Sequence, residues 1–444
     1  MPLKRNLVII LTRGLRSDVL SDSRAWPTTM PNMDRLCERG LRLVAHSACP
    51  AADGGLVSLL TGLHARQHGH VDTTRNLTCA GWPALLQAQG YHLTGVGCVG
   101  PIARWLHDAV HVEDVHVVES DRCAYLRAMH VRYQLAAIQL QRRQRLRTGP
   151  FEPDRLILEP NDDIDGFIAA EAEKKLIELN SHRPWAIIVM FSGPGNDLPP
   201  PTLYDQIVEP RELEAGFVPA DLTRLDALAE LDYPRVMLQR LDPIHLARIR
   251  GDYLGRVSLI DHGIGRLWRA LEERPDRELT WAVVASDRGQ LLGEHGLIGH
   301  RSFLTGAIET PLLLLPPTPA PRISGDGLVS TVDIAATIAL LGGCDLGHAV
   351  TGQSLLPLLT GETLKSPAAG ACLSEFGRRL MLMTDRYKVV FDTETRTALG
   401  LYDLAKDADE RRNLLEQPTG RNILDALRWR LAETLLPLRA EAAG

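Results

Sequence analysis

The run Asn6-Leu7-Val8-Ile9-Ile10-Leu11-Thr12 is apolar at every interior position, so a strand made from it presents hydrophobic side chains on both faces. Only a sheet covered on both sides buries such a strand, which points to an α/β architecture built on parallel strands. Similar runs recur at Leu41 to Ala45, Tyr91 to Val96, Trp185 to Phe191, Trp281 to Ala285 and Ile308 to Pro316. Helical patterns separate them, at Pro31 to Arg39, Trp82 to Gln89, Asp165 to Leu179, Leu246 to Glu273 and Ser330 to Ile338. The long fourth pattern is expected to bend near Gly263 or Gly265. The expected fold is a mostly parallel central sheet flanked by helices, with Asn6 to Thr12 and Trp281 to Ala285 inside it. Past residue 370 the texture changes. Leu380 to Thr384 and Tyr387 to Asp392 alternate like hairpin strands around Asp385-Arg386, and Ile423 to Leu436 is an amphipathic helix. At 444 residues the chain suits a large α/β domain over 1–370 and a small C-terminal α+β subdomain with an antiparallel sheet over 371–444.

Within that frame, Ala52-Asp53-Gly54-Gly55-Leu56-Val57-Ser58-Leu59-Leu60-Thr61-Gly62 reads as a polar loop entering an apolar helix. The free N–H groups and the dipole at such a helix start favour an anion. A formal charge of -6 gives no electrostatic reason to expect nucleic acid or an anionic membrane, and 5% aromatic content argues against stacking platforms for single strands. No apolar run reaches bilayer-spanning length, and Lys4-Arg5 leads at once into a strand rather than a leader. Seven cysteines, odd in number, scattered and without a Cys-x-x-Cys pair, read as reduced thiols in a cytoplasmic protein.

Several stretches resemble the sulfatase family of the alkaline-phosphatase-like superfamily. They are Met30 to Leu36, Ser58-Leu59-Leu60-Thr61-Gly62, His68-Gly69, Ser286 to Gly296, the Asp333 helix, and Gly352 to Gly361. Together the resemblance runs from Asn6 to about Leu415. It implies an activity that needs a divalent cation held by carboxylates, a formylglycine nucleophile made from Cys or Ser, and Lys, His and Arg groups around the anion. Position by position, the sequence departs from that set. The two metal aspartates fall on Arg13 and Gly14, and the modified cysteine falls on Ala52, with Gly54 for the proline and Leu56 for the arginine. Arg66 stands for the earlier histidine, Cys98 for a sulfate-gripping lysine, Gly195 for a substrate-facing histidine, Arg288 for a metal ligand and His300 for the catalytic lysine. Asp287 and His68 keep their family positions.

The resemblance therefore implies the fold without the chemistry. The leading expectation is a catalytically inactive sulfatase-like protein, with a binding or assembly role and neither metal nor other cofactor. Ala52, Asp53, Arg66, His68, Cys98 and His300 would form the residual site, and Asp287 the residual ligand position. Arg13 is expected to replace the cation and pair with Asp287, with Arg288 or Arg66 as the next choices. If that pair is buried, losing Arg13 should cost on the order of 3–5 kcal/mol. The alternative is a divergent metal-dependent hydrolase of sulfate or phosphate esters, using calcium or magnesium. A structural subunit beside an active relative, and a glycan or small-molecule binder using the old cleft, complete the readings. Expected partners are a protein or a second copy, or a small anionic or glycan ligand, with no nucleic acid and no membrane. Helical stripes at Tyr125 to Arg147 and 423–436 offer packing faces.

Overall fold

The computed structural model describes residues 5–20, 26–27, 30–51, 53–69, 81–98, 110–111, 159–179, 182–195, 198–208, 213, 243–318, 320, 323–324, 327–347, 350–362, 364 and 370–440. Strand β1 (Asn6–Arg13) is followed by helix α1 (Pro31–Cys37), β2 (Leu41–His46), α2 (Gly54–Thr61), α3 (Ala65–His68) and α4 (Trp82–Ala88). Next come β3 (His92–Gly97), β4 (Val110–His111), α5 (Ile164–Glu178), β5 (Trp185–Pro194), α6 (Pro243–Glu272) and β6 (Thr280–Ser286). A short hairpin of β7 (Leu291–Leu292) and β8 (Ile298–Gly299) leads to α7 (Thr305–Ile308), β9 (Glu309–Leu315), β10 (Ile323–Ser324), β11 (Val329–Ser330) and α8 (Thr331–Leu341).

Among the described residues, nine strands form one sheet in the order β10-β2-β9-β6-β1-β5-β3-β4, with β11 also pairing β2. All neighbours are parallel except β9, which runs against both β2 and β6. The doubly apolar β1 sits in the middle. Leu7 faces Ala186 and Trp281, and Ile10 faces Val189 and Val284, so the two strands expected to share a sheet are direct neighbours. Helices cover both faces, and Leu7, Ile9, Ile187, Ile188 and Val283 are fully buried.

Helix α6 is a single, unbroken 30-residue element that runs through Gly263 and Gly265. Those glycines serve close contact. A Cβ at Gly263 would lie 2.9 Å from Ala169 Cβ, and one at Gly265 would lie 2.5 Å from Asn32 Cγ. A helix tolerates an interior glycine when a neighbour must approach its backbone. Helix α6 is fastened by a buried ionic clamp. Arg256 Nη1 and Nη2 donate to Asp163 at 2.9 and 3.0 Å, and Nη2 also donates to Asp165. Asp165 in turn accepts the Ser192 N–H at 2.6 Å, which fixes the end of β5.

From Ala371 onward the chain forms an antiparallel sheet of β12 (Ala371–Phe376), β13 (Arg379–Thr384), β14 (Tyr387–Asp392) and β15 (Ala398–Asp403). The Asp385-Arg386 turn lies where the sequence places it. Helix α9 (Gly420–Ala440) covers this sheet, with Ile423, Leu424, Leu427 and Leu431 on the core formed by Leu373, Leu382, Val389 and Leu401. At the junction with the large sheet, Phe303 and Phe376 have ring centroids 4.5 Å apart, and fully buried Lys388 donates to the Phe303 carbonyl at 2.8 Å and to Glu410. Cys37, Cys49, Cys98, Cys344 and Cys372 are buried, and none of them is in a disulfide among the described residues. Ala52 and the Tyr125 to Arg147 stretch lie outside the described residues.

Candidate functional site

Strands β1 and β6 end side by side, at the carboxyl edge of the sheet where open α/β folds place their ligands. The chain leaves β1 through Gly14, whose φ is +82° and where an added Cβ would meet Gly195 Cα at 2.7 Å. That backbone has room for no side chain, so the position that resembles a metal aspartate is occupied by main chain. The Gly14 N–H instead donates to Asp287 Oδ1 at 3.2 Å. Ser286, the last residue of β6, accepts the Leu15 N–H at 3.0 Å and anchors the same exit. Helix α2 presses its first turn onto this point: Gly55 has no Cβ, and one there would sit 2.7 Å from the Asp287 carbonyl oxygen.

Asp287 is 1% exposed. A carboxylate so placed needs counter-charge or donors. It has both. Arg288 Nη1 lies 2.5 Å from Asp287 Oδ2, and Arg13 Nε lies 3.5 Å from the same oxygen. The other end of the Arg13 guanidinium reaches Asp53, with Nη2 at 2.7 Å from Oδ1. The site is thus a chain of alternating charge, Asp53–Arg13–Asp287–Arg288. Arg288 rather than Arg13 makes the closer bond to Asp287, and Arg13 spends its best hydrogen bond on Asp53.

His300 lies beside this chain. Burial, and then the positive charges of Arg288, Arg13 and Arg301, hold its ring well below the ordinary histidine range, so it is neutral at pH 7. Arg16 braces the neighbouring wall, with Nε on Asp18 at 2.8 Å, Nη1 on the Gln290 carbonyl at 2.9 Å, and an ion pair to Glu294.

The other sequence candidates go elsewhere. Arg66 does not turn toward Asp287: its N–H and Nε both meet Glu375 at 3.0 Å, which ties α3 to β12 of the C-terminal sheet. His68 is buried with Nε2 at 2.9 Å from Ser58 Oγ, inside the α2–α3 corner. Cys98 is buried just after β3, one strand beyond β5 from β1. His295, with φ +52°, places Nε2 at 2.8 Å from the Asp409 carbonyl and so holds a loop against the C-terminal part. Sequence reasoning missed Asp53 as the chief partner of Arg13 and missed the Arg16 brace entirely. The i, i+2 pair Arg16 and Asp18 was the one available signal for the latter.

Residues 5–344 match the family model described as Sulfatase, and residues 293–436 match a model described as N-sulphoglucosamine sulphohydrolase, C-terminal. The chain belongs to the sulfatase family. It is similar to choline-sulfatase of Rhizobium meliloti, 27% identical over 281 residues that make up 58% of this chain and 52% of that protein. Arylsulfatase K of Xenopus laevis is 29% identical over 38% of this chain and 34% of its own length. The chain thus spans about half or less of these relatives. A longer but weaker match, 21% identical, covers 98% of this chain and 95% of an arylsulfatase of Clostridium perfringens. Among solved structures, the phosphonate monoester hydrolase of Agrobacterium radiobacter superposes with a TM-score of 0.76 at 18% identity, covering 98% of this chain and 96% of that one. A protein in complex with its substrate D-glucosamine-2-N,6-O-disulfate superposes with a TM-score of 0.72 at 18% identity, covering 98% of both chains. At these identities the superpositions speak for the sulfatase fold alone.

Does the donor set of this family member suit the divalent cation that the sulfatase resemblance implies? Calcium takes six to eight oxygen ligands and magnesium six. Around Asp287 the nearest groups are two guanidiniums and a main-chain N–H, all donors of positive character. Among the described residues, no three His, Cys, Asp or Glu side chains converge so as to hold a metal ion. The residues present do not fit the cation.

Proposed function

We propose that this sulfatase-family protein is a catalytically inactive relative whose cleft serves a binding or assembly role. The observation that carries the reading is the Arg13 guanidinium, placed between Asp53 and Asp287 beside a Gly14 backbone that has no room for a carboxylate. Sulfuryl or phosphoryl transfer needs charge stabilisation on the transferring group and on the leaving oxygen. Here Arg13 and Arg288 are already engaged by carboxylates, and His300, at the position of the family lysine, is neutral. With Asp53 28% exposed at one end of the Arg13 guanidinium, an anion can exchange with that carboxylate. A small anionic or glycan ligand suits such a site, in keeping with the disulfated sugar bound by the structural relative.

A divergent metal-dependent hydrolase of sulfate or phosphate esters is the second reading. It draws on the two carboxylates that share Arg13, and it needs both Arg13 and Arg288 to swing away, since Arg288 holds Asp287 as well. Metal analysis after purification without chelator separates the two. The inactive reading expects less than a stoichiometric amount of calcium, magnesium or manganese, and one equivalent retained through gel filtration overturns it.

A further inference from the structure

Helix α1, the middle of α6 and the Tyr204–Ile207 segment enclose a cavity of about 630 Å3, and none of its lining residues belongs to the Asp287 cluster. Small-molecule sites commonly span 300–1,000 Å3. At one side of the cavity Gly265 lets Asn32 of α1 press onto the α6 backbone, where the buried Asp261 carboxylate accepts the Met33 N–H at 2.8 Å and the Asn32 N–H at 3.1 Å. Asp261 is thereby committed to starting α1. Two further charges are also committed, because Arg39 pairs with Glu272 and its guanidinium lies 5.1 Å above the Trp268 ring.

Three lining groups are left over. Arg35 and Arg269 are exposed on the cavity wall and have no ion-pair or hydrogen-bond partner for their side chains among the described residues. Ser258 is 8% exposed, lines the cavity, and its Oγ has no hydrogen-bond partner. A helical serine ordinarily bonds back to the carbonyl four residues earlier, and a buried hydroxyl left without a partner costs free energy that a bound group recovers. Leu36, Trp268 and Ile207 supply the apolar part of the wall.

We propose that this cavity is a second ligand site, separate from the Asp287 cleft, for a small organic anion. Arg35 and Arg269 take a carboxylate or phosphate, Leu36, Trp268 and Ile207 pack its uncharged body, and Ser258 bonds a polar group on that body. Guanidinium forks recognise either oxyanion in a bidentate manner, so phosphate and carboxylate share the chemistry. The proposal stands independently of whether the family cleft is inactive.

The test is calorimetric titration of the full chain with phenyl phosphate and, separately, with benzoate. The site predicts one-to-one binding of at least one probe, the stronger of the two naming the oxyanion class. The double variant Arg35→Ala/Arg269→Ala should weaken it by about tenfold or more, which is about 1.4 kcal/mol, at unchanged melting temperature. Any component of binding that is lost in Arg13→Ala and kept in the double variant belongs to the family cleft, which keeps the two sites apart. Ser258→Ala should raise the melting temperature of the free protein while lowering probe affinity, because it removes an unsatisfied hydroxyl that only the ligand bonds. Three results would overturn the site: no binding of either probe at millimolar concentration, binding that the double substitution leaves unchanged, or a fall in melting temperature in Ser258→Ala.

Discussion

Arg256 and Arg13 each stand between two carboxylates, and they do different things. Arg256, Asp163 and Asp165 have side chains no more than 1% exposed, and each carboxylate has a second duty, Asp163 capping α5 and Asp165 holding the Ser192 amide. Burial pushes the Asp165 carboxyl up against the opposing pull of Arg256, so the clamp trades desolvation against hydrogen bonds throughout. Arg13 is 16% exposed and its Asp53 partner 28%, while Asp287 is sealed and has Arg288 as well. One cluster is closed and fastens helices. The other is partly exposed at its Asp53 end and has a reserve cation behind Asp287, so it is the less sealed of the two.

Stability measurements separate the two. Arg256→Ala strands two buried carboxylates and should cost about 3–5 kcal/mol in urea unfolding. Arg13→Ala leaves Asp287 with Arg288 and the Gly14 N–H, so we expect about 1–2 kcal/mol, below the 3–5 kcal/mol that an isolated buried pair implies. Equal losses at the two sites would break the comparison.

A smaller effect sharpens it through pH. The native His300 ring titrates well below its ordinary 6.5, from burial first and then from Arg288, Arg13 and Arg301. The unfolded chain therefore takes up a proton that the native ring refuses. This contribution is fully present above pH 6.5 and is lost as the pH falls toward the native value. His300→Gln should flatten stability against pH below 6.5, and Arg13→Ala should flatten it partway. An unchanged slope in His300→Gln would show that the ring does not sit among those charges.

The sheet was legible because its signal is local. A strand such as Leu7 to Leu11, apolar on both faces, has one way to be buried, and Ser330 with Asp333 announces the start of α8, where the Ser330 N–H donates to Asp333 Oδ2 at 2.8 Å. The hairpin at Asp385-Arg386 was legible for the same reason. The role of Gly263 and Gly265 in admitting neighbours was not legible, since a glycine that bends a helix and one that admits a neighbour are identical in sequence. The site was legible only in its vacancies of residue type, at Arg13, Gly14 and Arg288. Its pairings were not, because they join positions far apart in the chain. Arg66 meets Glu375 and Lys388 meets Phe303 through folding alone, and nothing near either residue in sequence specifies the partner.

Turnover tests the central claim most directly. Purified wild type and Asp287→Ala would be assayed against an aryl sulfate, a phosphate monoester and a phosphodiester, each with added Ca²⁺, Mg²⁺ or Mn²⁺. A cleft filled by guanidinium predicts no metal-dependent hydrolysis in wild type above the Asp287→Ala level. Metal-dependent turnover that survives repurification and disappears in Asp287→Ala would contradict the account and establish the hydrolase reading in its place.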